Sequence, residues 1–382
     1  MRIAFVVPHT KHATGRGVHY WIARSLEQVE GVELRRLGPF RRSRAPRLYA
    51  RWVWHNLVER KTYERQHDPI DLKAIARQTE RELRKLDVDL VFSPNPMHLA
   101  YLGGEWPCTF WHDATFANLV DFYFEASRAS GITLSQGHEH DRRALARCAV
   151  AIYSSQWAAD SAIRDYGVPP DKVRVVPRGA SIEDPPTREE VGELIDRRDR
   201  EVCRLLLVGL EWFRKGADIA VAITERLNRN GLKAELDIVG CDPPSGTMLP
   251  DGVSLQGYLR KTVPAEASRL RGLYLDAHFF VMPSRAECQG IAFCEASAFG
   301  LPSLGLDVGG VSDAVRDGVN GRLFAPGADP AECAAWIAEL WNDTDRYREL
   351  ALSSYNEYET RLNWRSGTEK VVEYLREALG RE

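Results

Sequence analysis

The sequence predicts an α/β protein of two doubly wound domains, each a parallel sheet flanked by helices. Apolar runs of strand length alternate with helical stretches along the whole chain, the signature of parallel sheets joined by crossover helices. At 382 residues the chain is too long for one ordinary domain and suits two of about 180 each. Between the halves, residues 180–200 hold Pro185-Pro186 and seven carboxylates from Glu183 to Asp199, which reads as a linker.

In the N-terminal half, strands are expected at Ile3–Val7, Val32–Arg35, Leu90–Ser93, Thr109–Trp111, Val150–Tyr153 and Val173–Val176. Helices fall between them, notably Val18–Gln28, Leu72–Leu86 and His140–Cys148. Ser155 opens a further helix, which Tyr166-Gly167-Val168-Pro169-Pro170 ends. The C-terminal half repeats the plan, with strands at Leu205–Val208, Ala234–Val239, Val253–Gln256, Phe279–Pro283, Ser303–Leu306 and Gly321–Phe324. Its last helices are expected at Pro330–Trp341, Asp345–Glu359 and about Ser366–Leu379.

Composition excludes several classes. No run of eighteen apolar residues exists, so no transmembrane helix is expected. Met1-Arg2-Ile3-Ala4-Phe5-Val6-Val7-Pro8 reads as a first strand rather than a signal peptide. The seven cysteines are scattered and show no Cys-x-x-Cys, which argues against structural zinc and for a reducing, cytoplasmic compartment. No low-complexity tract or internal repeat is present.

The net charge of −3 conceals an asymmetry, since residues 1–100 hold 19 Lys and Arg against 11 Asp and Glu. Much of that excess lies in residues 41–61, where arginines interleave with Tyr49, Trp52 and Trp54. Basic residues with interfacial aromatics suit an anionic membrane surface, which would place the protein on the inner face of the membrane. Two alternatives stand beside this: a helix whose tryptophans pack inward, and a basic acceptor-binding surface. No recognised nucleic-acid module accompanies the patch, so no nucleic acid partner is expected.

The run from Pro283 to Pro302 is the most informative in the chain. An apolar strand leads into a loop with Glu287 and Gly290, and a helix beginning at Ile291 carries Glu295 before Gly300 and Pro302 stop it. A strand, a glycine loop and a helix start make an anion site, because unpaired N–H groups face the ligand there. A carboxylate one turn into that helix repels phosphate but accepts hydrogen bonds from two vicinal hydroxyls, as an acidic residue does for ribose in nucleotide-binding α/β folds. Glu287, eight residues earlier, would reach a second hydroxylated group. A diphosphate with sugars at both ends fits: a nucleotide sugar. The bland alternative is two surface glutamates on an ordinary βα unit.

A second run, Arg204 to Asp218, reads as a buried strand ending at Gly209, a turn, then the basic pair Arg214-Lys215 at a helix start. Arg offers a bidentate fork to phosphate and Lys a mobile point charge. The alternative is a solvated basic turn.

These two runs, Glu287-x7-Glu295 with Glu-Ala-x-Ala-x-Gly-x-Pro and Gly-x-x-Trp-x-Arg-Lys-Gly, resemble the retaining glycosyltransferases of family 4. The resemblance covers nearly the whole chain. It implies the GT-B fold, two Rossmann-like doubly wound domains facing a central cleft. The implied boundaries are 1–180 for the acceptor-side domain, 181–200 for the linker, 201–365 for the donor-side domain, and 366–382 for a helix crossing back to the first domain. It implies transfer from UDP or GDP sugar to a glycan, lipid-linked or small-molecule acceptor, with retention of configuration. No cofactor is implied, and no Asp-x-Asp loop signature calls for a metal.

In this resemblance Arg214 and Lys215 clamp the donor diphosphate beside Gly209, Gly290 and Ile291, while Glu295 holds the ribose and Glu287 the transferred sugar. Many members carry Arg directly after the strand glycine, where this chain has Leu210. His112, at the end of a strand, matches the family's active-site histidine, and Asp113 either holds a sugar hydroxyl or orients it. The turn Gly15-Arg16-Gly17 offers a backbone approach to phosphate or acceptor, although the family usually shows Gly-Gly there. Two rival classes stay open: a GT-B epimerase or phosphorylase, and a non-catalytic nucleotide-sugar-binding protein.

Overall fold

The computed structural model describes residues 1–8 and 17–381. It divides into two compact units, Met1–Val176 with the segment from Thr368 onward, and Pro177–Gly367. No helix among the described residues is long and apolar enough to cross a membrane. All seven cysteines are buried and unbridged.

The first unit contains, in order, β1 (Arg2–Val6), α1 (Val18–Glu27), β2 (Glu33–Leu37), α2 (Pro46–Val53), α3 (Pro69–Leu83), β3 (Leu90–Ser93), β4 (Cys108–His112), α4 (Phe116–Leu119), α5 (Gly131–Arg147), β5 (Cys148–Tyr153), α6 (Gln156–Tyr166) and β6 (Val173–Val175). Its sheet runs β2-β1-β3-β4-β5-β6, and every pair is parallel. The central strands are buried nearly end to end, as expected where helices cover both faces of a parallel sheet. Phe5 stacks on Phe92, and Phe110 meets Tyr153 edge to face, so aromatic rings fill the space along the central strands.

The second unit holds α7 (Arg188–Arg197), β7 (Cys203–Val208), α8 (Ala217–Arg229), β8 (Ala234–Val239), β9 (Val253–Gly257), α9 (Pro264–Asp276), β10 (Phe279–Val281), α10 (Ile291–Ser297), β11 (Ser303–Leu306), α11 (Val311–Ala314), β12 (Gly321–Phe324), α12 (Pro330–Asn342), α13 (Thr344–Thr360) and the start of α14 (Trp364–Ala378). Its parallel sheet runs β12-β11-β10-β7-β8-β9. The chain moves outward from β7 through β8 and β9, then returns to place β10 on the other side of β7. The strand order therefore reverses between β7 and β10. In doubly wound sheets ligands bind outside the carboxyl ends of the strands at such a reversal.

Several elements differ from the sequence reading. Residues 181–200, expected as linker, contain α7, capped by a reciprocal pair between Thr187 and Glu190. Val191 and Ile195 of that helix are buried in the core of the second unit, while Glu189, Glu190, Glu193 and Asp196 form its solvated face. α5 begins at Gly131, nine residues before the expected His140, with Ser130 as its cap. Its glycines concealed it, and Gly137 has a packing reason: a Cβ there would stand 2.3 Å from the Phe116 ring. Trp52 and Trp54 are 40% and 55% exposed, which overturns the alternative of inward-packed tryptophans. Residues of α14 from Thr368 belong to the first unit, where the Thr368 hydroxyl donates to Ser25 Oγ of α1 at 2.7 Å.

Candidate functional site

The carboxyl ends of β7 and β10 carry the two runs singled out in the sequence. Gly209 directly follows β7, and its N–H bonds Val239 O at 2.9 Å. A Cβ on Gly209 would stand 2.8 Å from Lys215 Cγ, so only glycine lets the lysine stem lie across the strand end. Gly216 caps α8 in the left-handed region at φ +70°, where a Cβ would meet the Pro283 carbonyl oxygen at 2.1 Å. This close approach joins the loop after β7 to the loop after β10. Arg285 N donates to Arg214 O at 2.8 Å, and Arg214 Nη1 donates to Ala286 O at 3.2 Å.

One buried ion pair lies at that junction, and a second, part-buried one lies on α10. The Lys215 ammonium donates to Glu287 Oε2, and both residues are under 10% exposed. Arg214 Nη1 lies 3.8 Å from the same oxygen, while its Nε and Nη2 donate to the two oxygens of Glu211 at 3.0 and 3.2 Å. Glu211 adopts φ +70°, a backbone state that costs a non-glycine residue about 1–2 kcal/mol and recurs at functional sites. One turn into α10, Glu295 is 3% exposed and receives the Lys261 ammonium, with the Tyr274 hydroxyl at 3.1 Å. Burial, then the Glu295 charge, pushes the Tyr274 hydroxyl well above its ordinary value, so it stays a donor. Lys261 also donates to Ser181 O at 3.2 Å. Gly290 caps α10 at φ +85°, leaving Ile291 at the first helical position, where N–H groups have no partner within the helix.

The structure thus brings Gly209, Arg214, Lys215, Glu287, Gly290 and Ile291 to one switch point, with Glu295 on the helix that starts there. Chemically this is a set of cations held in place by carboxylates. An anion with two or more phosphate oxygens can share those cations, and the carboxylates can accept from sugar hydroxyls.

In the first unit, His112 closes β4. Its Nδ1 donates to the Pro94 carbonyl at 3.0 Å, which fixes the proton on that nitrogen, and stands 3.6 Å from Asp113 Oδ1. The carbonyl and the neighbouring Asp113 carboxylate both lie against that nitrogen. Gly17 precedes α1 with an extended backbone, whereas Gly15 and Arg16 lie outside the described residues.

Residues 20–184 match the family model described as Glycosyltransferase Family 4, and residues 202–343 match the one described as glycosyl transferases group 1. Between them the two matches span most of the chain, which is thus similar to the family 4-like glycosyltransferases. Relatives include the D-inositol 3-phosphate glycosyltransferase of Acidothermus cellulolyticus, 29% identical over 68% of this chain and 62% of that one. The Nocardia farcinica enzyme of the same name is 33% identical over 56% of this chain and 49% of its own. The matched stretch therefore spans between about half and three-fifths of these relatives. Among solved structures, sucrose-phosphate synthase from Thermosynechococcus elongatus superposes with a TM-score of 0.70 at 16% identity, covering 100% and 99% of the two chains. Anabaena HepE in complex with UDP-glucose gives 0.63 at 15% identity, covering 99% and 100%. At such identities the likeness concerns the fold, which is GT-B.

Sequence reasoning missed Lys261, Tyr274 and Glu211. Lys261 had a readable signal, because Gly257-Tyr258-Leu259-Arg260-Lys261 places a basic pair just past a parallel strand. Tyr274 had none, since its partner Glu295 is delivered by the fold, whereas Glu211 stands three residues before the Arg214 it pairs with.

Proposed function

We propose that this chain transfers a glycosyl group from a UDP or GDP sugar to an acceptor hydroxyl, with retention of anomeric configuration. The observation that carries the reading is the buried Lys215–Glu287 pair, with Arg214 beside it, at the carboxyl ends of β7 and β10. Arg214 and Lys215 take the diphosphate, Glu287 a hydroxyl of the transferred sugar, and Glu295 the ribose diol. The names of the inositol-phosphate relatives and the UDP-glucose held by HepE support the substrate class.

In the proposed reaction the acceptor hydroxyl attacks the anomeric carbon from the face of the leaving phosphate. The bond from that carbon to the diphosphate oxygen breaks, the new glycosidic bond forms, and the departing phosphate takes the hydroxyl proton. Arg214 and Lys215 offset the charge that grows on the diphosphate, so neither a metal nor an organic cofactor is needed for that task. His112, with its proton fixed on Nδ1, presents Nε2 for a sugar hydroxyl. The acceptor is a glycan, a lipid-linked sugar or a small molecule.

A thermal-shift screen of UDP and GDP sugars tests the donor, because a ligand at one hundred times its Kd stabilises by about 2.7 kcal/mol. NMR of the product then reads the anomer, and turnover in EDTA reads metal dependence. No shift with any nucleotide sugar, an inverted product, or loss of turnover in EDTA would each overturn part of the reading. Turnover without acceptor would indicate an epimerase or hydrolase instead.

A further inference from the structure

Of the eleven large apolar side chains exposed among the described residues, five lie within ten residues: Tyr49, Trp52, Trp54, Leu57 and Val58. They sit on α2 and on the wider turn that continues it, Trp54–Val58. The anchoring of this element explains their direction. Leu48 is fully buried, and Arg51 Nη1 pairs at 2.5 Å with Asp68 Oδ2. Asp68 is itself buried, takes the Tyr63 hydroxyl at 2.6 Å, and caps α3 through Ile70 N. One side of the element thus carries a buried leucine and an ion pair to the cap of α3, which leaves the aromatic side chains outward. Tyr49 and Trp52 stack with centroids 6.3 Å apart, and Trp54 Nε1 is satisfied by Glu59 at 2.8 Å.

The same surface is strongly basic. Residues 41–63 hold seven Lys and Arg against one carboxylate, Glu59. Arg41, Arg42, Arg44, Arg47, Arg60 and Lys61 are exposed, and among the described residues Arg41, Arg44 and Arg47 form no ion pair. Contiguous apolar patches of this kind on a folded surface mark interaction sites. Tryptophan, tyrosine and leucine ringed by arginine match the boundary between lipid headgroups and acyl chains, with the arginines on lipid phosphates.

We infer that residues 41–61 dock the protein on an anionic lipid membrane, Tyr49, Trp52, Trp54 and Leu57 entering the headgroup boundary. This inference does not depend on the donor chemistry of the second unit. The test is sedimentation of the full chain with vesicles of phosphatidylcholine alone and with 30% phosphatidylglycerol, in ~0.1 and ~1 M salt, where the Debye length falls from about 10 Å to about 3 Å. Pelleting is expected only with the anionic vesicles and only at the lower salt. Replacing Arg41, Arg42, Arg44 and Arg47 by glutamine should weaken binding roughly 600-fold, at about fivefold per basic residue near the surface. Trp52→Ala with Trp54→Ala should weaken it several-fold while circular dichroism, Tm and UDP binding stay unchanged. Equal pelleting on neutral vesicles, none on anionic ones, or binding that survives both sets of substitutions would overturn the inference. So would tighter retention on double-stranded DNA than on vesicles.

Discussion

Replacing Lys215 by methionine separates two roles that the structure has merged in one side chain. The substitution keeps most of the stem that lies over Gly209 and removes the ammonium. Glu287 would then stay 7% exposed, with Arg214 Nη1 at 3.8 Å. Removing one partner of a buried pair costs about 3–5 kcal/mol. Arg214 relieves part of that, so a loss of roughly 2–4 kcal/mol is expected in urea unfolding. If Lys215 also holds the donor diphosphate, UDP affinity should fall by about 1.5–3 kcal/mol, or roughly 10- to 150-fold, by calorimetry. The double variant Lys215→Met/Glu287→Gln decides between the roles. Stability should return to within about 1 kcal/mol of the parent, because no charge is left buried and unpaired. UDP affinity should not return. A double variant that binds UDP like the parent, or a Lys215→Met protein that loses stability but keeps its Kd within twofold, would refute the diphosphate role.

Glu295→Gln should weaken UMP and UDP alike in titration calorimetry, since both carry the ribose, whereas Lys215→Met should spare UMP. Gly216→Ala should lower stability by at least ~2 kcal/mol in denaturant unfolding, because φ +70° and a Cβ 2.1 Å from Pro283 O force the two loops apart. Burial pushes the Asp141 carboxyl up to about 7, against an unfolded value near 4. The folded state then keeps a proton that the unfolded chain releases. The stabilisation is fully present below about pH 4 and is lost as pH rises to about 7, a decline of roughly 4 kcal/mol. Asp141→Asn should flatten that slope in urea unfolding measured across the interval.

The sequence by itself determined the parallel α/β class, most of the strands, and the two loop-to-helix runs that carry Arg214, Lys215, Glu287 and Glu295. These were legible because each depends on short range: an apolar run, a glycine that must be glycine, a charged residue within a few positions of a strand end. Tertiary structure alone decided which charges meet. Lys215 reaches Glu287 across 72 residues and Lys261 reaches Glu295 across 34, because the strand order places β10 beside β7 after the chain has gone out through β9 and back. The direction of Trp52 and Trp54 was undecidable from periodicity, since an arginine-tryptophan helix presents an amphipathic pattern whichever way it is rolled. Leu48 and the Arg51–Asp68 pair settle the roll, and Asp68 caps another helix. Likewise the carboxylates of 183–199 read as solvated linker until the core of the second unit supplied a wall for Val191 and Ile195. Local chemistry is written in neighbouring residues, whereas pairing and burial belong to surfaces that exist only once the sheet has ordered its strands.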